Sequence, residues 1–278
     1  MKWNKFICPV DGQPISQQVG SLRCDQGHTF DLAREGYCNL LLVQQKASHD
    51  PGDSHEMVMA RRRFLEAGFY LPIAQKIFNI ANSQSGSERE FRILDAGSGE
   101  GYYLRYLQSQ NPVFELIGID ISKQAVKAAA KMSPLISWAV ASNKQLPIDS
   151  GSVDLVLCMF GFPVWSSFSK VLNKAGHVVL VDASEDHLIE LREIIYPTVT
   201  KSGPPSMESA FKTGYQLQSE ESLRFKIELN SQAEINDLLS MTPHVHRMTE
   251  EGKRRLALVE KLQLTVDLSV RTLGLTSG

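Results

Sequence analysis

The sequence is short of several things, and each shortage narrows the reading. In its 278 residues no apolar run reaches the roughly 20 residues that a membrane-spanning helix needs. It carries no charge excess, since 29 Lys and Arg stand against 31 Asp and Glu, a formal net charge of -2. With no global basic field, contact with nucleic acid must come from a local patch. The opening MKWNKFICPVDGQP has no apolar leader core before its turn-forming Pro, Asp and Gly, so a cytoplasmic protein is expected. Cysteine is scarce, at positions 8, 24, 38 and 158. In a reducing compartment these are metal ligands or buried thiols rather than a disulfide framework. What remains, 42% hydrophobic and 22% charged, is the composition of a globular chain.

Three segments differ in character. Residues 1–40 are rich in turn formers and hold three of the four cysteines, which predicts a small zinc-ribbon-like module. Residues 41–90 read as a polar loop (44–56), a helix from Glu56 to about Gly68, a second from Leu71 to Ala81, and a flexible connector at 83–90. From 91 onward short apolar runs alternate with helical stretches. The strands would be Arg92–Asp95, Leu116–Asp120, Ser137–Ala141, Leu155–Met159 and His177–Asp182, with helices at Tyr102–Ser109 and Lys123–Met132 and Ser122 as N-cap of the latter. Continuous apolar strands separated by helices predict a parallel sheet covered on both faces, the doubly wound, Rossmann-like α/β architecture. The last 90 residues are less legible: a helix at Asp186–Ile195, a Pro/Gly-rich break at 197–205, a strand-like run at Leu223–Leu229 and a closing amphipathic segment.

The strongest local signal is FRILDAGSGEGYYL, where a strand ends at Asp95 and Gly97, Gly99 and Gly101 follow at every second position. Such a loop turns sharply, lets a ligand approach the backbone and opens onto a helix N-terminus. Glycines alone do not name the ligand. A carboxylate at Asp95 would repel a pyrophosphate, but it suits the ammonium and sulfonium of S-adenosylmethionine. The next strand, LIGID, ends in Asp120, whose carboxylate can accept both ribose hydroxyls. Ser142 and Asn143, in ASNKQLP after the third strand, sit where an adenine edge would be read. D-x-G-x-G-x-G, G-x-D-x-S and S-x-x-x-L-P in this order resemble the class I methyltransferase family, and VLNKAGHVVLV resembles its later glycine turn. A Rossmann-like fold with another ligand is the alternative.

CPVDG at 8–12 looks like a zinc knuckle, with Cys24 and His28 as a second pair. Asp11 stands where the pattern expects cysteine. Either Cys8, Asp11, Cys24 and His28 hold one zinc ion, or the metal is lost and Asp11 merely caps the turn. Cys38 is expected to be a buried thiol.

HTFDLAREGYCNLL (28–41) and HDPGDSHEMVMARRRFLEAGFY (49–70) together with the glycine loop resemble the RlmA-type methyltransferases of large-subunit ribosomal RNA, and the resemblance runs to MTP at 241–243. It implies a zinc module that helps hold RNA, a cofactor-binding domain, and methylation of guanine N1 in a domain II hairpin of 23S rRNA. It further implies that Tyr70, Gly99, Glu100 and His187 contact S-adenosylmethionine. From the residues themselves, Arg61–Arg63 with Lys46 and His49, and Lys253–Arg255, are candidate phosphate-binding clusters or else solvated helix faces. Phe69, Tyr70, Tyr102 and Tyr103 either flank a flipped base or belong to the core. Guanine N1 carries a proton that must leave, and Asp182, Glu100, His244 and His246 are the possible acceptors, with no choice among them. A homodimer whose two N-terminal modules frame one RNA groove is compatible with the sequence. A small-molecule or protein methyltransferase, a non-catalytic RNA-binding module and an NAD-type enzyme are the competing readings.

Overall fold

The computed structural model describes residues 3–45, 51–86 and 90–276. The chain opens with short strands β1 (Ile15–Gln18), β2 (Ser21–Cys24), β3 (Thr29–Asp31) and β4 (Tyr37–Asn39), followed by helices α1 (His55–Glu66) and α2 (Leu71–Gln84). An alternating run comes next: β5 (Arg92–Ala96), α3 (Tyr102–Gln110), β6 (Glu115–Asp120), α4 (Lys123–Met132), β7 (Ser137–Val140) and β8 (Val153–Met159). The remainder is α5 (Trp165–Val171), β9 (Leu172–Ala183), α6 (Ile189–Ile195), α7 (Glu208–Lys212), β10 (Tyr215–Leu229), α8 (Gln232–Ser240), α9 (Glu250–Leu256) and β11 (Leu262–Leu275).

The main sheet has eight strands in the order β10-β11-β9-β8-β5-β6-β7-β4. It is parallel from β9 to β4, while β11 runs antiparallel to both β9 and β10. The chain winds outward from β5 in both directions, so the topological switch lies beside β5. Ligands of such sheets bind in the crevice beyond the carboxyl ends of the strands at that point. Two expectations change in detail. The sheet is mixed rather than wholly parallel, and the closing segment read only as amphipathic is the long buried strand β11.

Four helices start at side-chain caps. Ser54, Ser122, Ser231 and Thr249 each accept a backbone N–H of the first turn of α1, α4, α8 and α9. One face of the sheet is covered by α1 to α4, α6, α8 and α9. The other carries α5 and the N-terminal ribbon, whose Phe6, Ile15 and Leu22 belong to the same buried cluster as Ile117, Ile119, Ala139 and Ile148. Burying side chains as fully as Phe6 and Leu22 contributes about 1.5–3 kcal/mol each.

No helix joins β7 to β8. The connecting segment instead bonds to the ribbon, with Ile7 N–H donating to Pro147 O at 3.0 Å and Asp149 N–H to Lys5 O at 2.7 Å. The ribbon thus covers sheet surface that a crossover helix would otherwise cover. Through β4 it also supplies the edge strand beside β7.

Candidate active site

The glycine loop leaves β5 at Asp95 and is tied to the neighbouring strand by Gly97 N–H and Ser98 N–H, both donating to Ile119 O at 2.8 and 3.0 Å. The glycines have separate roles. Gly97, at φ 106°, has open space where a side chain would stand. A Cβ on Gly101 would lie 2.4 Å from the Trp138 ring, and one on Gly118 2.1 Å from it. Gly101 and Gly118 are therefore set by the packing of the fully buried Trp138, whereas Gly97 leaves the cleft clear.

Asp95 is 1% exposed, and neither carboxylate oxygen has a hydrogen-bond partner. Burial, with the Asp120 carboxylate adding to it, pushes its pKa up to about 8. A carboxylate in that position asks for a cation or a donor from a ligand. Asp120 ends β6. Its Oδ2 accepts Gly99 N–H at 2.8 Å and its Oδ1 accepts Ser122 N–H at 2.7 Å, and burial raises its pKa. Each oxygen keeps a second lone pair. Ser142 and Asn143 follow β7 at the same edge. Asn143 Nδ2 donates to Ala96 O at 3.1 Å, and Ser142 Oγ accepts Lys144 N–H at 3.2 Å.

Glu100 lies in the loop, but its carboxylate turns toward arginines, with Arg105 at 2.9 Å and Arg62 at 3.6 Å. Tyr70 is buried, edge-on to Phe64 at 5.0 Å and stacked with Phe160 at 6.2 Å. Phe160 in turn lies 6.1 Å from the His187 ring. His187 is held neutral, its pKa pushed down to about 4 by burial and by nearby His244 and Arg192. Asp267 N–H donates to its Nδ1 at 3.4 Å, so its proton resides on Nε2. Tyr70 and His187, distant in sequence, are thus joined through Phe160. Sequence reasoning missed Phe160, and the available signal was an F-G-F-P turn directly after an apolar strand. Phe160 also has φ 53°, a left-handed conformation that a bulky residue holds only when its surroundings demand it.

The DPGDS stretch acquires a physical role through its described residues, 51–54. A Cβ on Gly52 would stand 2.7 Å from that of Ser122. Asp53 O accepts Ser122 Oγ–H at 2.8 Å, and the Asp53 carboxylate pairs with Arg61 at 2.7 Å. Arg61 reaches to 3.5 Å from where a Gly99 Cβ would be. The segment is a strap over the end of β6 that fixes Arg61 above the glycine loop.

The arginines of the Arg61–Arg63 cluster are all engaged by partners within the protein, although Arg63 itself stays exposed. Arg61 pairs with Asp53, Arg62 donates to Ala128 O at 3.1 Å, and Arg63 forms a two-pronged pair with Asp237 at 2.9 and 2.6 Å. Lys46 and His49 lie outside the described residues. In the second cluster Lys253 pairs with Glu250 and Arg255 donates to Tyr196 O, and all three side chains are exposed. Among the aromatics, Tyr70 and Tyr103 are buried, and Phe69 and Tyr102 pack against the same core. Of the proton acceptors considered, Glu100 is engaged by arginines and His244 Nδ1 by Tyr196 Oη at 2.9 Å. His246 is exposed, and Asp182 pairs with Arg271 at 2.6 Å.

The second site lies in the ribbon. One ligand atom each from Cys8, Asp11, Cys24 and His28 falls within 4.8 Å of the others. His28 Nδ1 stands 2.9 Å from Asp11 Oδ2, 3.3 Å from Cys24 Sγ and 3.6 Å from Cys8 Sγ. Tetrahedral zinc with ordinary bond lengths separates its ligand atoms by roughly 3.4–3.8 Å, so the cluster is nearly of that size. The two readings of Asp11 are not exclusive. Its Oδ1 caps the knuckle by accepting Gln13 N–H at 2.9 Å, while Oδ2 faces the cluster. Cys38 is fully buried and stands outside this group.

Comparisons with known proteins give the family and the fold. The family model described as RlmA, N-terminal, matches residues 6–49, and a methyltransferase-domain model matches 93–180. The chain is 31% identical over 277 residues to YxjB of Bacillus subtilis, which bears the name of a 23S rRNA (guanine-N1)-methyltransferase, covering 96% of each chain. It is 30% identical over 253 residues to the 23S rRNA (guanine(748)-N(1))-methyltransferase of Streptomyces fradiae, covering 90% of this chain and 89% of that one. Among solved structures, one chain of the complex between the Haloferax volcanii Trm112 methyltransferase activator and a methyltransferase superposes with a TM-score of 0.51. That match has 18% identity and covers 82% of this chain and all of the other, which supports the fold alone.

Proposed function

Because the chain belongs to the family of 23S rRNA (guanine-N1)-methyltransferases with an RlmA-type N-terminal ribbon, we propose that it transfers a methyl group from S-adenosylmethionine to N1 of a guanine in 23S rRNA, within a domain II hairpin. The observation that carries the cofactor half of this reading is Asp95, a buried carboxylate with no protein partner at the switch point of the sheet.

The residues fit the cofactor. Asp95 takes the ammonium of its methionine part, Gly97 leaves room for it, and Asp120 offers its free lone pairs to the ribose hydroxyls. Ser142 and Asn143 edge the adenine, and Tyr70 and neutral His187, braced by Phe160, close the other side. Bound S-adenosylmethionine supplies an electrophilic methyl on a sulfonium. The protein's task is to hold N1 in line with it and take up the N1 proton. Glu100 and Arg105 act one layer back, fixing the loop.

Cys8, Asp11, Cys24 and His28 fit zinc, a closed structural site whose role is to order the ribbon. The RNA acceptor follows from the relatives' names and from the ribbon, which docks on the catalytic sheet rather than hanging from it. Cytoplasmic placement belongs to the same reading, and no helix among the described residues is long and apolar enough to cross a membrane. Incubation with a 23S rRNA hairpin transcript and methyl-labelled cofactor, then digestion to nucleosides, is the test. Label in 1-methylguanosine is expected, and label in any other nucleoside, or in none, rejects the proposal.

A further inference from the structure

A cavity of about 170 Å³ opens at the carboxyl ends of β8 and β9, close to the ~150 Å³ of cavities that admit one aromatic ring. Phe162 stands at it and is 91% exposed, while Trp165 and Leu180 line it. Asp182 and Arg271, both nearly buried, provide its charge. Arg271 Nη2 donates to Asp182 Oδ2 at 2.6 Å and its Nη1 to Pro205 O at 2.8 Å. No hydrogen bond from a described residue reaches Asp182 Oδ1. The cavity shares one turn with the cofactor cleft. Phe160 lies between Tyr70 and His187, and Phe162 and Pro163, just beyond it, line the cavity. Cys158, at the end of β8, feels both Asp182 and Asp95.

We propose that this cavity receives the target guanine, with Phe162 stacking on the base and the Asp182 carboxylate reading and deprotonating its N1 edge. The inference rests on the function proposed above. Guanine offers two donors side by side, N1–H and N2–H, which match the free Oδ1 and the second lone pair of Oδ2. Adenine turns an N1 lone pair toward the same carboxylate and is repelled. In the transfer step the N1 proton passes to Asp182 while the N1 electron pair forms the bond to the methyl carbon. The methyl–sulfur bond breaks with its pair going to sulfur, leaving S-adenosylhomocysteine, and Asp182 later gives its proton to water. Burial raises the affinity of Asp182 for that proton, and Arg271 acts as a positioning residue that holds the carboxylate.

The test measures single-turnover methylation of the hairpin transcript by the full chain, with target guanosine or inosine, alongside cofactor affinity by calorimetry. Phe162→Ala removes an exposed ring and leaves the fold intact. It should weaken RNA use roughly 5- to 150-fold with cofactor affinity unchanged, and Phe162→Trp should restore it. Asp182→Asn should slow transfer roughly a hundredfold or more. Inosine, lacking the N2 donor, should slow the wild-type chain roughly tenfold and Asp182→Asn less. Should Asp182→Asn fail to fold, Phe162→Ala and inosine on the wild-type chain still decide. Wild-type rates in Phe162→Ala together with equal use of inosine and guanosine would overturn the pocket while leaving the methyltransferase reading intact. A wild-type chain that methylates no guanine overturns both.

Discussion

Asp95 makes a quantitative prediction about cofactor binding. In the ligand-free protein its pKa is pushed from 3.8 up to about 8 by burial and by Asp120, so at pH 7 it holds roughly 0.9 of a proton. The folded state then binds a proton that the unfolded chain has released. Ligand-free stability therefore falls as pH rises from 3.8 to about 8 and levels off above. An arriving ammonium favours the carboxylate and expels that proton. Calorimetry at pH 7 in buffers of different ionisation enthalpy should show roughly 0.9 proton released per cofactor bound. Affinity should rise roughly ninefold from pH 6 to pH 7. Asp95→Asn removes the titrating group, so both effects should vanish. The charge-assisted hydrogen bond lost is worth about 1.5–3 kcal/mol, a roughly ten- to 150-fold weaker Kd. Equal apparent enthalpies in all buffers for the wild type, or a variant that binds as tightly with the same pH slope, would refute the assignment of the ammonium to Asp95.

Three further predictions test other parts of the account. Purified protein should carry zinc, Asp11→Ala should lose it to chelator far sooner, and Asp11→Cys should hold it more tightly, as metal analysis would show. Gly118→Ala drives a methyl into Trp138 and should cost about 1–3 kcal/mol, a fall in Tm of roughly 2–12 °C by calorimetry. Arg63→Ala breaks a surface ion pair in which Asp237 already neutralises the guanidinium, so the salt dependence of RNA binding should not change. A shallower slope would return Arg63 to the phosphate contacts.

The sequence made the catalytic sheet legible because its strands are continuous apolar runs and Ser122 caps the helix between two of them. Asp95, the glycines and Asp120 fall at fixed positions along that pattern, and the structure brings them to one crevice. The ribbon's ligand set was likewise legible from spacing, although the double use of Asp11 depends on the orientation of its two oxygens. What escaped depends on long-range contact. Arg61–Arg63 read as a phosphate-binding cluster or a solvated helix face, since nothing local shows that Asp53, Ala128 and Asp237 come to meet them. Phe160 joins Tyr70 to His187 across some 90 residues of chain on one side and 27 on the other, a coincidence of packing that no periodicity encodes. Strand β11 alternates apolar and polar residues from Leu262 to Arg271, a period of two that marks a strand, but its burial on both faces, with Thr265, Asp267, Ser269 and Arg271 covered as well, is not visible in that pattern.

The proposed activity places one methyl group on ribosomal RNA. Mass mapping of 23S rRNA from cells with and without the gene, and from cells supplied with the Asp95→Asn variant, addresses it directly. One domain II guanine is expected to carry an N1 methyl in the first, to lose it in the second and not to regain it fully in the third. An unchanged set of N1-methylguanosines in cells lacking the protein would contradict it.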